Sequence, residues 1–499
     1  MKLQNANIPK DIKFLKSPDG KYWELYVDDS HQLQIREIDP NIIVDLPAGF
    51  PLYEITGDYG DYFDTWLSFR LPFLMERNEN GVIKFYNCGD TGVSSYADFK
   101  KVKSKSGNIR YLKAFSIGST SSNGEKLLTI YDEDFNIVDT NIASVFPWFD
   151  PHDYYYFDDN HVACFTNGNF TYNNARVPVD DNESSFIDVA HAKYFILYEL
   201  KNINGEWKII GQFNMYDYPK LFTDEISSYD DTEPTEVHPN TLFLDYDGNY
   251  IVNLRNNDTF IKIRRVENSD GTVTIGSKTL DYDEAIIGRV GEKYNSAYLD
   301  RKRVLEDGFA FTDVPTSLQE RSTDEWDEWH WFHAHDVSYW GMKNIEGQSY
   351  PTYLLFDNNM WTQNGASTNY NDINERNNYQ NNPNGNNDGK FVAGKSDNGG
   401  AYDTCMVSRV VQLSIDWENH LIKDYRIYQI QKKYSLTRGS AQMFDEGVLL
   451  INWSDQTECG LYDFNDEQTQ VQGHTYKNGK ELWHVVNQSS FRVYGLKDE

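Results

Sequence analysis

The chain has 499 residues, of which 15% are aromatic and 25% charged, and 77 acidic against 46 basic residues give a formal charge of −31 spread along its length. Such a charge keeps the chain soluble and repels polyanions, which excludes nucleic acid as a partner. Apolar stretches such as 447–453 (GVLLINW) fall far short of the ~18 residues a spanning helix needs, and the opening MKLQNANIP lacks the ~7–15-residue apolar run of a secretion signal. The expectation is a soluble chain with no membrane insertion and no signal peptide, made in the cytoplasm.

Residues 1–45 read as a separate unit. Ile12 to Gly20 followed by Trp23 to Asp29 has the pattern of a hairpin, Leu33 to Ile38 adds a second strand after it, and Pro40 ends the run. So small a β module buries little core of its own, so it is expected to dock on something else, another chain being the natural choice.

From residue 46 to 499 helical periodicity is scarce. Apolar residues alternate over four to seven positions and are interrupted by Asn, Asp and Gly clusters, as at 78–81, 123–124, 158–160, 245–249, 445–447 and 477–479. Such clusters supply the positive φ of hairpin turns. Strands of similar flavour follow several of them: 82–86, 126–130, 250–254 and 448–452, read here as equivalent strands of successive units. A loose repeat of several tens of residues predicts sheets set radially about an axis, an all-β β-propeller, with a long sandwich or solenoid as the alternative. Residues 358–400, crowded with Asn, Gly, Ser and Asp, form a long polar loop, a feature that is usually functional or disordered at such length.

Cys88, Cys164, Cys405 and Cys459 show no CxxC or zinc spacing and are expected to be buried free thiols. His330, His333 and His335 stand among Trp326, Trp329 and Trp331, which suggests metal binding or sugar stacking; alternation puts 333 and 335 on one face, but no second ligand cluster lies nearby. Asp245, Asp247 and Asn249 begin a calcium-loop spacing that Asn256 fails to complete, so a hairpin turn is expected there and no metal or other cofactor is assigned.

Taken in order, several segments resemble the arylsulfotransferase propeller family, which moves sulfate between phenols without a nucleotide donor. They are Phe149-Asp150-Pro151-His152-Asp153; His238-Pro239-Asn240-Thr241 running on to Asp245–Asn249 and Tyr250–Arg255; His335-Asp336-Val337 with Leu354–Asn358; Ser408-Arg409-Val410-Val411; and Gly439–Gln442 with Gly447–Ile451. The resemblance spans about residues 50 to 499. It implies six blades and a catalytic set of a transiently sulfated histidine helped by further histidines and an arginine, placing His238, His335 and Arg409 in catalytic roles. It also implies binding roles for His152, Asn240, Arg255, His333, Asn358 and Arg438. Neutral imidazole is a competent nucleophile near pH 7, and guanidinium or imidazolium neutralises the sulfate oxygens. The same residues are compatible with a structural role, since strand-opening histidines are commonly hydrogen-bonded and Arg409 has carboxylates to neutralise.

The last blade departs from the family pattern, because 436–440 (LTRGS) holds no histidine. Three functions follow. The first is a bacteriophage tail or baseplate component, a virion protein that attaches to other tail proteins through residues 1–45, works as an oligomer or in an assembly, and binds a host cell-surface carbohydrate. The second is an active arylsulfate sulfotransferase taking an aryl sulfate. The third is an interaction propeller whose face binds another protein.

Overall fold

The computed structural model describes residues 14–16, 22–27, 33–38, 53–70, 73–78, 83–87, 98–104, 106–114, 128–139, 142, 150–178, 186–218, 221, 235–255, 259–291, 310–311, 331, 334–358, 408–430, 433, 435, 438–454, 458–465, 468–471, 474–486 and 492–497. His330, His333, Cys88, Cys405 and the polar loop beyond Asn358 lie outside them.

Six four-stranded antiparallel meanders make the body of the protein. Blade 1 runs Val493–Leu496, Thr65–Arg70, Phe73–Asn78, Ile83–Asn87 from the axis outward; blade 2 runs Phe99–Lys103, Ile109–Ala114, Leu128–Tyr131, Ile137–Asp139. Blade 3 is Asp150–Asp158, His161–Pro178, Phe186–Ile203, Glu206–Asn214, and blade 4 is Pro239–Leu244, Tyr250–Leu254, Thr259–Ile263, Ile286–Gly291. Blade 5 is His335–Ile345, Gln348–Asp357, Arg409–Asp416, Leu421–Gln429, and blade 6 is Ser440–Asp445, Val448–Trp453, Glu458–Asp463, Lys480–Val486. The protein is an all-β, six-bladed β-propeller.

The ring is closed by both ends of the chain. The C-terminal strand Val493–Leu496 is the innermost strand of blade 1, paired with Thr65–Arg70, and Glu54–Gly57 adds a fifth strand to the outside of blade 6. Closure seats the first and last blades against each other, so no blade face is left uncovered at an end of the repeat.

Neighbouring blades are stitched at the axis by a repeated bond. A side-chain oxygen near the start of one inner strand accepts an N–H from the next: Asp153 from Leu242 (2.7 Å), Thr241 from Val337 (3.2 Å), Asp336 from Ala441 (3.1 Å) and Ser440 from Val493 (3.2 Å). Arg492 to Asp98 (3.0 Å) joins blade 1 to blade 2, and Lys100 to Asp153 joins blade 2 to blade 3. Six junctions therefore complete the circle. Between blades the packing is aromatic and aliphatic, as where Trp66, Trp483, Tyr59 and Phe63 fill the seam of blades 1 and 6.

One sequence expectation needs correction. The strands at 82–86, 126–130, 250–254 and 448–452 are not equivalent, since they are the fourth, third, second and second strands of their blades. Similar turn chemistry recurs at every hairpin, so it marks turns without numbering strands. Residues 14–38 hold three strands, Phe14–Lys16, Tyr22–Val27 and Leu33–Ile38, which pair only with one another among the described strands. Cys164 and Cys459 are free and buried, as expected.

Candidate active site

The inner strands of blades 3, 4, 5 and 6 start at the same end of the axis, and the residues at those starts converge. Each stitching residue has a neighbour before it in sequence: His152 before Asp153, Asn240 before Thr241, His335 before Asp336, Gly439 before Ser440. Strand alternation turns the neighbour away from the stitch. His238 stands two residues before Asn240.

His152 and His238 meet edge to face with ring centroids 4.5 Å apart. His238 has φ +54, a left-handed conformation that costs about 1–2 kcal/mol for an L-residue, and the Arg255 N–H closes on its carbonyl at 3.1 Å. That bond extends the Pro239↔Leu254 pairing by one step and sets Arg255 beside His238.

His335 is 3% exposed and carries its partners on both ring nitrogens. Nδ1 faces Asn358 Oδ1 at 2.5 Å, and Nε2 accepts a long contact from the Arg438 N–H at 3.4 Å. Burial, then the positive charge of Arg255, then His238 and His152, hold His335 well below the ordinary histidine value, with only the Asn358 bond opposing. It is a neutral imidazole at pH 7. His152 differs, because its Nδ1 lies 2.5 Å from the Asp150 carboxylate, which also accepts the His152 N–H. Burial pushes Asp150 up, but the charge and bonds of His152, aided by His238, outweigh it and hold the carboxyl at about 2.

The cluster thus contains His152, His238, His335, Arg255, Asn358 and Arg438, drawn from blades 3, 4, 5 and the entry to blade 6. Asn240 is fully buried beneath it and donates to the Ala334 carbonyl at 2.9 Å, a contact Asn253 shares at 2.7 Å. The sequence reading gave the oxygen clamp to Arg409. That residue opens the third strand of blade 5 and is bound by Asp357 at 2.7 Å, while the arginine whose charge acts on His335 is Arg255. No described residue of the last blade brings a histidine to the cluster, and His152 of blade 3 stands in it beside His238. Only the ring geometry places Arg255 against His335, 80 positions away in sequence.

Beneath the histidines sits Arg492, which sequence reading missed. It is fully buried and faces Asp336 (2.8 Å), Asp98 (3.0 Å) and Asp153 (3.3 Å), and donates to the Asn240 carbonyl at 2.8 Å. No motif marks a lone arginine before the final strand. Among the described residues no group of three or more His, Cys, Asp or Glu is arranged to hold a metal ion.

No protein-family model matches the chain, and no curated protein matches it. Among solved structures, it is similar to a streptogramin B lyase at 8% identity and TM-score 0.28, over 87% of this chain and 97% of that one. A periplasmic gluconolactonase of Pseudomonas aeruginosa follows at 9% identity and TM-score 0.23, over 77% and 98%. Likenesses this remote assign no family, substrate or mechanism, and the propeller stands on its own sheets and ring of junctions.

Proposed function

We propose that the axial cluster is a sulfuryl-transfer site and that the protein is an arylsulfotransferase-like propeller. The observation that carries the reading is His335: a buried neutral imidazole, its Nδ1 tied to Asn358, with Arg255 and two further histidines around it. In a chain of charge −31, three histidines gathered with Arg255 make a local inversion suited to an oxyanion.

His335 Nε2 gives up its long contact with the Arg438 N–H and attacks sulfur; the N–S bond forms and the S–O(aryl) bond breaks. The phenolate takes a proton from a cationic imidazole of the cluster. A second phenol then returns that proton to the cluster as its oxygen attacks sulfur, the N–S bond breaks, and His335 is neutral again. Arg255 neutralises charge on the sulfuryl oxygens in both steps.

The test is turnover of 4-nitrophenyl sulfate with a phenol acceptor. His335→Ala is expected to abolish it and Arg255→Ala to lower it by ~10²-fold or more, the usual loss of a transition-state donor. A well-folded protein without turnover, or turnover indifferent to His335→Ala, rejects the reading.

A second reading is favoured by the three-stranded sheet of residues 14–38, which shares no strand pairing with the blades. In it the chain is a virion tail or baseplate component that docks through residues 1–45 and presents the propeller to an anionic or sugar-bearing host surface. A chain lacking residues 1–45 is then expected to keep its propeller but no longer co-sediment with tail particles. Co-sedimentation of the shortened chain rejects it.

A further inference from the structure

We infer that Asn358 is a positioning residue that fixes His335 as the Nδ1–H tautomer, so that Nε2 keeps the lone pair that meets the Arg438 N–H. The inference rests on the sulfuryl-transfer reading for its kinetic consequence, but its structural content stands by itself.

The argument is one of forced donors and acceptors. An asparagine amide can present either oxygen or nitrogen to a histidine, and which it presents is decided by its other bonds. Asn358 Nδ2 donates to two carbonyls, Ser435 O at 2.6 Å and Arg438 O at 2.7 Å, neither of which can donate in return. The nitrogen is therefore committed there, and Oδ1 is the atom facing His335 Nδ1. An amide oxygen only accepts, so Nδ1 carries the hydrogen and Nε2 carries the lone pair, in agreement with its acceptance of the Arg438 N–H.

The amide is itself anchored. Ser408 Oγ donates to the Asn358 carbonyl at 3.2 Å and lies 3.1 Å from the Ser435 carbonyl, and Ser435 N–H returns a bond to Ser408 Oγ at 2.7 Å. All three residues are buried. The scaffold thus ties the ends of two blade 5 strands to the segment entering blade 6, and its one unspent acceptor is turned on the histidine.

The choice of amide over carboxylate has a consequence. His152 in the same cluster faces a carboxylate, Asp150, which favours a charged imidazole; Asn358 offers His335 the same acceptor geometry without the charge. Arg255 from blade 4 and His238 and His152 from blades 4 and 3 all act to lower His335. A carboxylate at 358 would act the other way, placing an anion at Nδ1.

The experiment is ¹⁵N-imidazole NMR of the full chain across pH 5 to 9, with His335 assigned by its loss in His335→Gln, in wild type, Asn358→Asp and Asn358→Ala. In wild type His335 is expected neutral at pH 7, protonated on Nδ1 and bare on Nε2. Asn358→Asp is expected to make the ring cationic at pH 7, and Asn358→Ala to mix the tautomers. An Nε2–H tautomer or a charged ring in wild type overturns the inference whether or not either variant folds.

In turnover, Asn358→Asp is expected to move the acid limb of the pH–rate profile up by at least one pH unit. Asn358→Ala is expected to lower kcat by ~10-fold or more, below the ~10⁴-fold ceiling seen when a catalytic histidine is locked in the wrong tautomer. A correct tautomer in a protein without turnover sinks the sulfuryl-transfer reading and leaves the positioning intact. Turnover with an unmoved profile in Asn358→Asp sinks the positioning alone.

Discussion

Replacing Arg492 with methionine removes a buried cation that contacts three carboxylates at once, Asp98, Asp153 and Asp336. The arginine side chain is 1% exposed and those of Asp98, Asp153 and Asp336 are 1%, 3% and 12% exposed. Removing one partner of a buried ion pair costs about 3–5 kcal/mol, because a charge is left uncompensated away from water. Lys100 still faces Asp98 and Asp153, so the lower half of that range applies to them, while Asp336 loses its only arginine. About 4 kcal/mol is expected. With an unfolding entropy near 2.1 cal/mol/K per residue, a chain of 499 residues loses about 4 °C in Tm. Calorimetry at pH 7 reads this directly. Because the deficit is uncompensated negative charge, it should shrink at pH 4, where the unpaired carboxylates can protonate. A shift under 1 °C at pH 7, or a deficit that does not narrow in acid, refutes the electrostatic account of the hub.

Asp336 is pushed up to about 6, since burial and the neighbouring Asp153 and Asp98 outweigh Arg492. A carboxyl raised in the folded state contributes stability below its unfolded value near 3.8 and loses it as pH rises through about 6, a difference worth about 3 kcal/mol. Asp336→Asn should flatten the stability profile between pH 4 and 6 in urea titrations, and an unchanged slope there contradicts it. Gly439 has φ +113 and a Cβ there would run into the buried Phe356 ring, so Gly439→Ala should destabilise by about 2–3 kcal/mol; a neutral effect on Tm would show that the approach to blade 6 is looser than described. Deleting residues 490–499 removes both Arg492 and the inner strand of blade 1, leaving buried Leu67 and Trp66 at an open edge, and should yield protein without a cooperative transition by calorimetry. A cooperative transition within a few degrees of the full chain would mean that ring closure is dispensable.

Several residues singled out by the resemblance stand together at the axis, beside neighbours it did not single out. In His152-Asp153 and His335-Asp336 the aspartate stitches blades while the histidine joins the cluster, a division that strand alternation sets but that becomes visible only once the neighbouring blade is in place. Arg255, tagged as a binding residue, turned out to be the cation acting on His335. Arg409, tagged as catalytic, is bound by the aspartate directly across its own strand pair. His333 lies outside the described residues.

By itself the sequence determined the local physics: alternating strands, turns rich in Asn, Asp and Gly, an all-β chain and a net charge of −31. Those properties depend on residues within a few positions of one another, so they can be read along the chain. Tertiary structure alone decided the blade register, the closure of blade 1 by residues 493–496 and the meeting of His152, His238, Arg255 and His335. Those depend on which residues a closed ring brings to its axis, and a ring of six sheets joins positions from 98 to 492 in one small volume where no spacing rule along the chain can foresee them.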